Sequence, residues 1–396
     1  MLIYDSSVDK SVNTQMVRQV NEKVILDLMR KHGELSIPEI QSLTSLTYPT
    51  VAKAVDVLKE KDYLEDSGEG ASRGGRRPRL VKFRYNAGVL VGVEIDSSYV
   101  KLAAYSMDYQ TLANIVLPLS DTDPARVIDK IVDGVQKIQA SLNSSQVLHA
   151  VGIGCPGMIN PSNGTITNRS SLKWLSPVDL RNPLIQRLGV PVIIENDINV
   201  AALGEMNRVD IALESWAYIS VSTGVGSGLI YDHHIMRGHT GTAGELGHVS
   251  IDANGILCEC GNRGCLEKYI ASPAISKRLD LSKKERVHAY HVLSERVSQS
   301  DPDALIVYGD VVKYLSVAIL GLLNLLNPSV IILGGTILEL GDSFLQDLCQ
   351  AIALGSRNAR FGNTKILYSE LGLDAVVNGG AHLADQHIFG NSQIAL

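Results

Sequence analysis

A chain of 396 residues, 45% hydrophobic and 20% charged, has the balance of a soluble globular protein of two or three domains with ample core. Its net charge of −6 is uneven: residues 1–86 hold 14 Lys and Arg against 12 Asp and Glu, the remainder 22 against 30, so a mildly basic end precedes an acidic body. Residues 1–10 carry two Asp and no apolar run, and the apolar stretch 315–326 is broken by Gly321 and Asn324, which excludes a signal peptide and a membrane span from the reading and leaves a buried helix.

Along the chain, Val17, Val20, Val24, Ile25, Leu28 and Met29 recur at helical spacing, and Gly33 closes that helix. Ser36 and Glu39 form a capping box with Pro38 in the first turn, opening a short helix over 37–43. Residues 44–47 connect it to a third helix, 48–61, with Val51, Ala54, Val55 and Leu58 inward. Two helices joined by a short turn after a first helix is the helix-turn-helix pattern. The later helix would enter the DNA major groove, reading bases with Tyr48, Thr50, Lys53 and the Ala52 methyl. Residues 63–66 and 79–85 read as a two-stranded wing. Between Ser67 and Arg84 lie six basic residues and one acidic, and Arg73, Arg76 and Arg77 sit on a glycine-rich tip suited to phosphates or a minor groove. The alternative is a solvated linker behind a helical bundle.

Beyond residue 87, apolar strands at 89–95, 101–106, 114–117, 150–153, 192–194, 218–222, 228–231 and 330–333 alternate with helices such as 124–142. That order indicates α/β architecture with mixed sheets. Glycine loops follow several strands, at 154–157, 222–228 and 334–335. Each suits close approach of a phosphate or polar ligand, and each is also a plain turn. Glu195-Asn196-Asp197 follows a strand directly, where ligand sites of open sheets lie; a helix N-cap there is compatible.

The densest signal is 244–267, with His248, Cys258, Cys260 and Cys265 spaced H-x9-C-x-C-x4-C. Three thiolates and an imidazole satisfy tetrahedral Zn²⁺ and leave no place for a catalytic water, so the metal is read as structural. Three buried thiols and a core histidine are the bland alternative. Glu245 and Glu267 bracket the cluster, so zinc would stiffen the backbone that carries them. The two remaining cysteines, Cys155 and Cys349, read as buried free thiols, and five cysteines used this way indicate a reducing cytoplasm.

Residues 87–396 resemble the ROK family (repressors, open reading frames and kinases). The resemblance is carried by Glu245-Leu-Gly-His248, by 258–267 and by 195–205. It implies a two-lobed actin-like (ribonuclease H-like) fold, with 87–197 plus 380–396 as the first lobe and 198–379 as the second, behind a winged helix-turn-helix at 1–86. The whole chain looks like the sugar-responsive repressor branch. The resemblance further implies that His248, Cys258, Cys260 and Cys265 ligate zinc, and that Asn196, Asp197, Glu245, His248 and Glu267 bond sugar hydroxyls. Asp197 matches the base of the family kinases. Implied partners are an inverted-repeat operator bound by a homodimer, or a tetramer, and a monosaccharide or sugar-derivative effector.

One departure bears on activity. The kinase motif D-x-G-G-T-K is here Glu94-Ile-Asp-Ser-Ser-Tyr99, without glycines and with Asp96 where phosphate would sit. A sensor that no longer phosphorylates is therefore expected. A sugar kinase with an added DNA-binding domain is the alternative, and signalling through a protein partner is also compatible with the branch.

Overall fold

In the computed structural model, the structure describes residues 10–70, 78–85, 88–144, 146–160, 163–167, 172, 174, 177–206, 215–232, 234–355 and 364–389. It is a small helical head on a two-lobed α/β body.

The head runs α1 (Lys10–His32), β1 (Glu34–Ser36), α2 (Ile37–Thr44), α3 (Tyr48–Glu60), β2 (Leu64–Glu69) and β3 (Arg79–Phe83). The capping box forms as the sequence indicates: Ser36 N–H donates to Glu39 Oε2 at 2.8 Å, and Ser36 Oγ accepts from Glu39 N–H at 3.4 Å. Val51, Ala54, Val55 and Leu58 are buried on α3. The wing gains a third strand the sequence hid, because Glu34 and Leu35 pair with Lys82 and Val81. On α1, Ile25, Leu26 and Met29 enter the core, whereas Val17 and Val24 stand 53% and 43% exposed. Helical spacing alone put these two inward. The core contacts lie on the neighbouring stripe, and Leu26 takes the expected place.

The first lobe follows as β4 (Gly88–Ile95), β5 (Tyr99–Ser106), β6 (Thr111–Pro118), α4 (Pro124–Ser141), β7 (Val147–Cys155), the hairpin β8 (Met158–Ile159) and β9 (Ile166–Thr167), α5 (Arg181–Leu188) and β10 (Val192–Asn196). Helix α6 (Asp197–Glu205) leads to the second lobe. That lobe holds β11 (Ser215–Val221), β12 (Val225–Tyr231), β13 (His234–Ile235), α7 (Glu267–Ile270), α8 (Ser272–Arg278), α9 (Ala289–Ser298), α10 (Pro302–Leu326), β14 (Val330–Gly334), α11 (Gly341–Gly355) and β15 (Lys365–Tyr368). Helix α12 (Ala375–Phe389) then returns to the first sheet.

The sheet orders are β10-β7-β4-β5-β6 and β13-β12-β11-β14-β15. Each opens with an antiparallel meander and closes with two parallel strands. Read from opposite ends they are one topology used twice, the actin-like arrangement. Helix α10 is long and apolar enough to cross a membrane by length and composition, yet Val307, Val311, Leu315, Ile319 and Leu323 lie in the second lobe's core. Cys155 is fully buried as expected, while Cys349, on α11, is only partly so.

Helix α12 crosses the first sheet where Gly92 and Gly152 leave no side chain. A Cβ on Gly92 would come within 1.7 Å of Val377 O, and one on Gly152 within 1.9 Å of Gly380 O. Further along α12, His382 is buried with its ring 3.9 Å from that of Tyr109. Burial, and then the Arg30 charge, push its pKa down to about 3. The unfolded chain therefore takes the proton first. The stabilisation is complete above about pH 6.5 and is lost as pH falls toward 3, at up to about 1.4 kcal/mol per pH unit. His382→Gln should flatten the fall in denaturation midpoint on acidification from neutrality; an unchanged slope assigns acid sensitivity to other groups.

Candidate functional sites

The parallel strands β4, β7 and β10 end side by side, with Glu94 opposite Gly154 and Cys155 opposite Asn196. Helix α6 starts on that edge. Asn196 is its N-cap: Oδ1 accepts from the N–H groups of Ile198 and Asn199 at 3.0 and 3.2 Å, and Nδ2 donates to Gly157 O at 3.1 Å. The next residue, Asp197, occupies the first turn and accepts from Ile198 N–H at 3.0 Å. Its pKa is pushed up to about 6, chiefly by burial, with the charges of Asp96 and Glu245 adding to it. A carboxylate poised in this way at a helix N-terminus can accept hydroxyl protons or hydrogen bonds near neutral pH.

Glu195, one residue earlier, is almost wholly buried and fixes the edge. Its Oε1 accepts from Asn196 N–H at 2.9 Å and Asn199 Nδ2 at 3.2 Å, and its Oε2 from Arg237 Nε at 2.5 Å. Sequence reading missed Arg237. It follows β13 in the second lobe, 42 residues from its partner, so no local pattern points to it.

The opposite wall is the loop after Arg237. Gly244, at φ +90°, presses on β12: a Cβ there would come 2.1 Å from Ser227 O, and one on Gly247 would come 2.1 Å from Val225 O. This contact fixes Glu245, whose side chain reaches toward His248 Nε2 at 4.0 Å. The other ring nitrogen, Nδ1, lies 3.7 Å from Glu267 Oε1 and 3.8 Å from Cys258 Sγ. The histidine therefore turns one nitrogen to the thiols and one to Glu245. Glu245 and Glu267 thus flank His248, and the Glu245 charge reaches Asp197 beside Asn196 at the start of α6.

The ligand atoms of His248, Cys258, Cys260 and Cys265 lie within 4.8 Å of one another, and Cys260 and Cys265 sulfurs are 3.5 Å apart. With Zn–S of about 2.3 Å, tetrahedral zinc sets neighbouring sulfurs about 3.8 Å apart, so this donor set fits the ion in size and chemistry. None of the three cysteines is in a disulfide. Glu259, adjacent to two ligands, is instead paired with Lys268.

The β4–β5 turn differs from a phosphate loop in its bonding as well as its sequence. Asp96 Oδ1 accepts from Ser98 N–H at 2.8 Å and Ser98 Oγ at 2.7 Å, and Asp96 N–H donates to Tyr99 O at 2.9 Å. Tyr99 donates its hydroxyl to Glu94 Oε1 at 3.0 Å. Burial pushes the Glu94 carboxyl up to about 7, and its second oxygen has no hydrogen-bond partner among the described residues. The second loop keeps its open form: Gly224 has free space at its Cβ position, and Ser222 Oγ accepts from Thr336 N–H at 2.9 Å.

On the head, Tyr48 is 51% exposed and Lys53 is exposed on the outer side of α3, with Ala52 and Thr50 partly so. Thr50 Oγ1 lies 2.9 Å from Thr47 Oγ1. Arg73, Arg76 and Arg77 fall outside the described residues. The remaining wing cations are engaged: Arg79 with Asp66 at 3.5 Å, Lys82 with Glu65 at 3.0 Å, and Arg84 with Asp62. Counting charge from Ser67 onward hid these acids, which face the cations across the hairpin.

The sequence profile of the ROK family matches residues 90–387. The chain is 30% identical over 377 residues to the xylose repressor of Bacillus spizizenii, covering 94% of this chain and 96% of that one. It is 30% identical over 314 residues to the glucokinase of Halalkalibacterium halodurans, covering 75% of this chain and 94% of the enzyme. Among solved structures, a ROK family transcriptional regulator, a homologue of the E. coli MLC protein, superposes with a TM-score of 0.82 at 23% identity, over 94% of this chain and 97% of that one. A twice-used actin-like sheet, the 195–205 and 244–267 signatures and a profile spanning most of the body together place this chain in the ROK family.

Proposed function

We propose that the chain is a DNA-binding transcriptional repressor of carbohydrate-utilisation genes whose ROK body senses a sugar. The observation that carries this reading is coverage. The repressor relatives align over head and body together, 94% of the chain, whereas the glucokinases align over about the share the body occupies, 75%. Because the full-length relatives are named for xylose, D-xylose is the first effector to test. Asn196, Asp197, Glu245, His248 and Glu267 would bond its hydroxyls, and His248, Cys258, Cys260 and Cys265 would hold zinc behind them. A cytoplasmic homodimer, or tetramer, would set two α3 helices on an inverted repeat. The test is an operator-binding titration with and without xylose and a panel of other monosaccharides. Operator binding indifferent to every sugar overturns the sensing role.

The body is read as non-catalytic. At the β4–β5 turn the N–H that would meet a phosphate is taken by Asp96, and that carboxylate repels phosphate. Sugar-dependent ATP hydrolysis should stay at background. The open second loop and the raised Asp197 favour the kinase alternative, so turnover abolished by Asp197→Asn would establish it.

Arg76 and Arg77 are proposed phosphate contacts. Replacing both with alanine should weaken operator binding and reduce the slope of log affinity against log salt by roughly 2, since about 0.9 counterion is released per neutralised phosphate. Thr50→Ala or Lys53→Ala should instead change base preference, and an unaltered salt slope in the arginine pair makes the tip a linker.

A further inference from the structure

The head and the far end of the chain meet at one guanidinium. Arg30, near the end of α1, donates from Nη1 to Asp385 Oδ2 at 2.9 Å and from Nη2 to Met107 O at 2.9 Å. Its own carbonyl accepts from Tyr85 Oη at 2.6 Å. The rings of Phe83, Tyr109 and Phe389 surround it, with centroids 5.8, 5.8 and 5.3 Å from Cζ. Both charges are largely withdrawn from water, with side chains 16% and 11% exposed. One residue thus ties the head to the β5–β6 turn and to the end of α12. A buried pair of this kind is weak evidence for stability but is a strong geometric constraint, since either charge alone would be left uncompensated.

Helix α12 also grips α6, the helix whose first turn carries Asp197. A Cβ on Gly379 would come 1.7 Å from Val200 O, and one on Gly204 would come 2.3 Å from Ala375 O. Helices α6 and α12 therefore touch backbone to backbone, with no pliable side chain between them. A displacement of α6 must carry α12 with it, and α12 bears Asp385 about one turn before its end at Phe389.

We propose that Arg30 and Asp385 are positioning residues that convey the state of the Asp197 site, through α6 and α12, to the angle of the DNA-reading head. The inference rests on the repressor reading above. It assigns the two residues no contact with sugar or DNA. Their role is to make occupancy of one site felt at the other, which is a coupling and therefore measurable as a ratio.

Asp385→Asn keeps the shape and removes the charge; Arg30→Met removes the fork. Each full-length variant is titrated with D-xylose alone, with single half-site DNA, and with full operator in the presence and absence of xylose. Appearance of the body fragment after trypsin cleavage at Arg84 is followed without DNA. The expected result is sugar affinity and half-site affinity within about twofold of wild type, a ratio of operator affinities without and with sugar that falls at least tenfold toward unity, and faster cleavage. If Arg30→Met does not fold, Asp385→Asn alone decides. Wild-type coupling in Asp385→Asn overturns the proposal, whatever its cleavage rate. If the wild type binds no operator, or no sugar changes its binding, the repressor reading fails by itself; cleavage then judges the joint, and an unchanged rate removes its anchoring role and the proposal with it, while a faster rate upholds the anchor.

Discussion

Asp197→Ala should yield a repressor that holds its operator and ignores sugar. A hydrogen bond to a charged group contributes about 1.5–3 kcal/mol, so losing one weakens sugar binding roughly 10- to 100-fold, and losing two compounds it. Operator affinity without sugar should stay near wild type, because Asp197 lies in the cleft at the start of α6 and not on the head. The pH dependence gives a second signature. With its pKa raised to about 6, chiefly by burial, Asp197 is ionised above that pH and, in the proposed role, would then accept hydroxyl hydrogens from the sugar. Sugar affinity should therefore hold above pH 6 and fall below it, by up to tenfold per pH unit if one proton is involved. Isothermal calorimetry at about pH 7.5 and pH 5 for wild type and Asp197→Asn measures both effects. Equal sugar affinity in wild type and Asp197→Ala would remove this residue from the site.

Cys260→Ser should cost the protein its metal and most of its sugar binding together. The loop from 255 to 264 is closed by tight turns, with Cys258 N–H donating to Asn262 O at 2.8 Å and Gly264 N–H to Ile256 O at 2.8 Å. Gly264 adopts φ +72°, and a Cβ there would come 1.9 Å from Asp252 O, so the turn tolerates no side chain. Three thiolates gathered this closely repel one another, and a cation between them would offset that repulsion. Structural zinc contributes on the order of 10 kcal/mol to small zinc domains, and a fraction of that is already a sizeable share of a typical stability margin of about 5–15 kcal/mol. Elemental analysis should find one zinc per wild-type chain prepared without chelator and none in the variant. The variant's melting temperature should drop by several degrees, and xylose should no longer raise it. Metal-free wild-type protein with full sugar binding would refute the zinc reading.

Local signals in the sequence carried the fold well. Strand and helix positions followed from apolar runs and caps, and Ser36 with Glu39 marks the start of α2 because both partners lie within one turn. The 244–267 cluster was legible for the same reason: spacing along the chain nearly fixes distance when ligands are this close. What the sequence withheld was long-range. Arg237 meets Glu195 from the other lobe, and Arg30 meets Asp385 across 355 positions, so neither pair leaves a periodic or spaced pattern. Val17 and Val24 fit a helical stripe, but which of two adjacent stripes faces inward depends on what lies beside α1. The wing's cations looked free because their acids precede the stretch that was counted.

The head does not have a core to itself. Ile25, Met29, Val55 and Phe83 from the head belong to the same apolar cluster as Leu90, Tyr105, Ala381 and Phe389 from the body. A chimera that joins this head to another ROK body would therefore inherit a half-empty socket unless residues 105–109 and the last two turns of α12 travel with it. Modularity in this chain runs along a spatial seam that gathers three separate stretches of sequence, and an exchange made at a single cut in the chain would divide one packed unit.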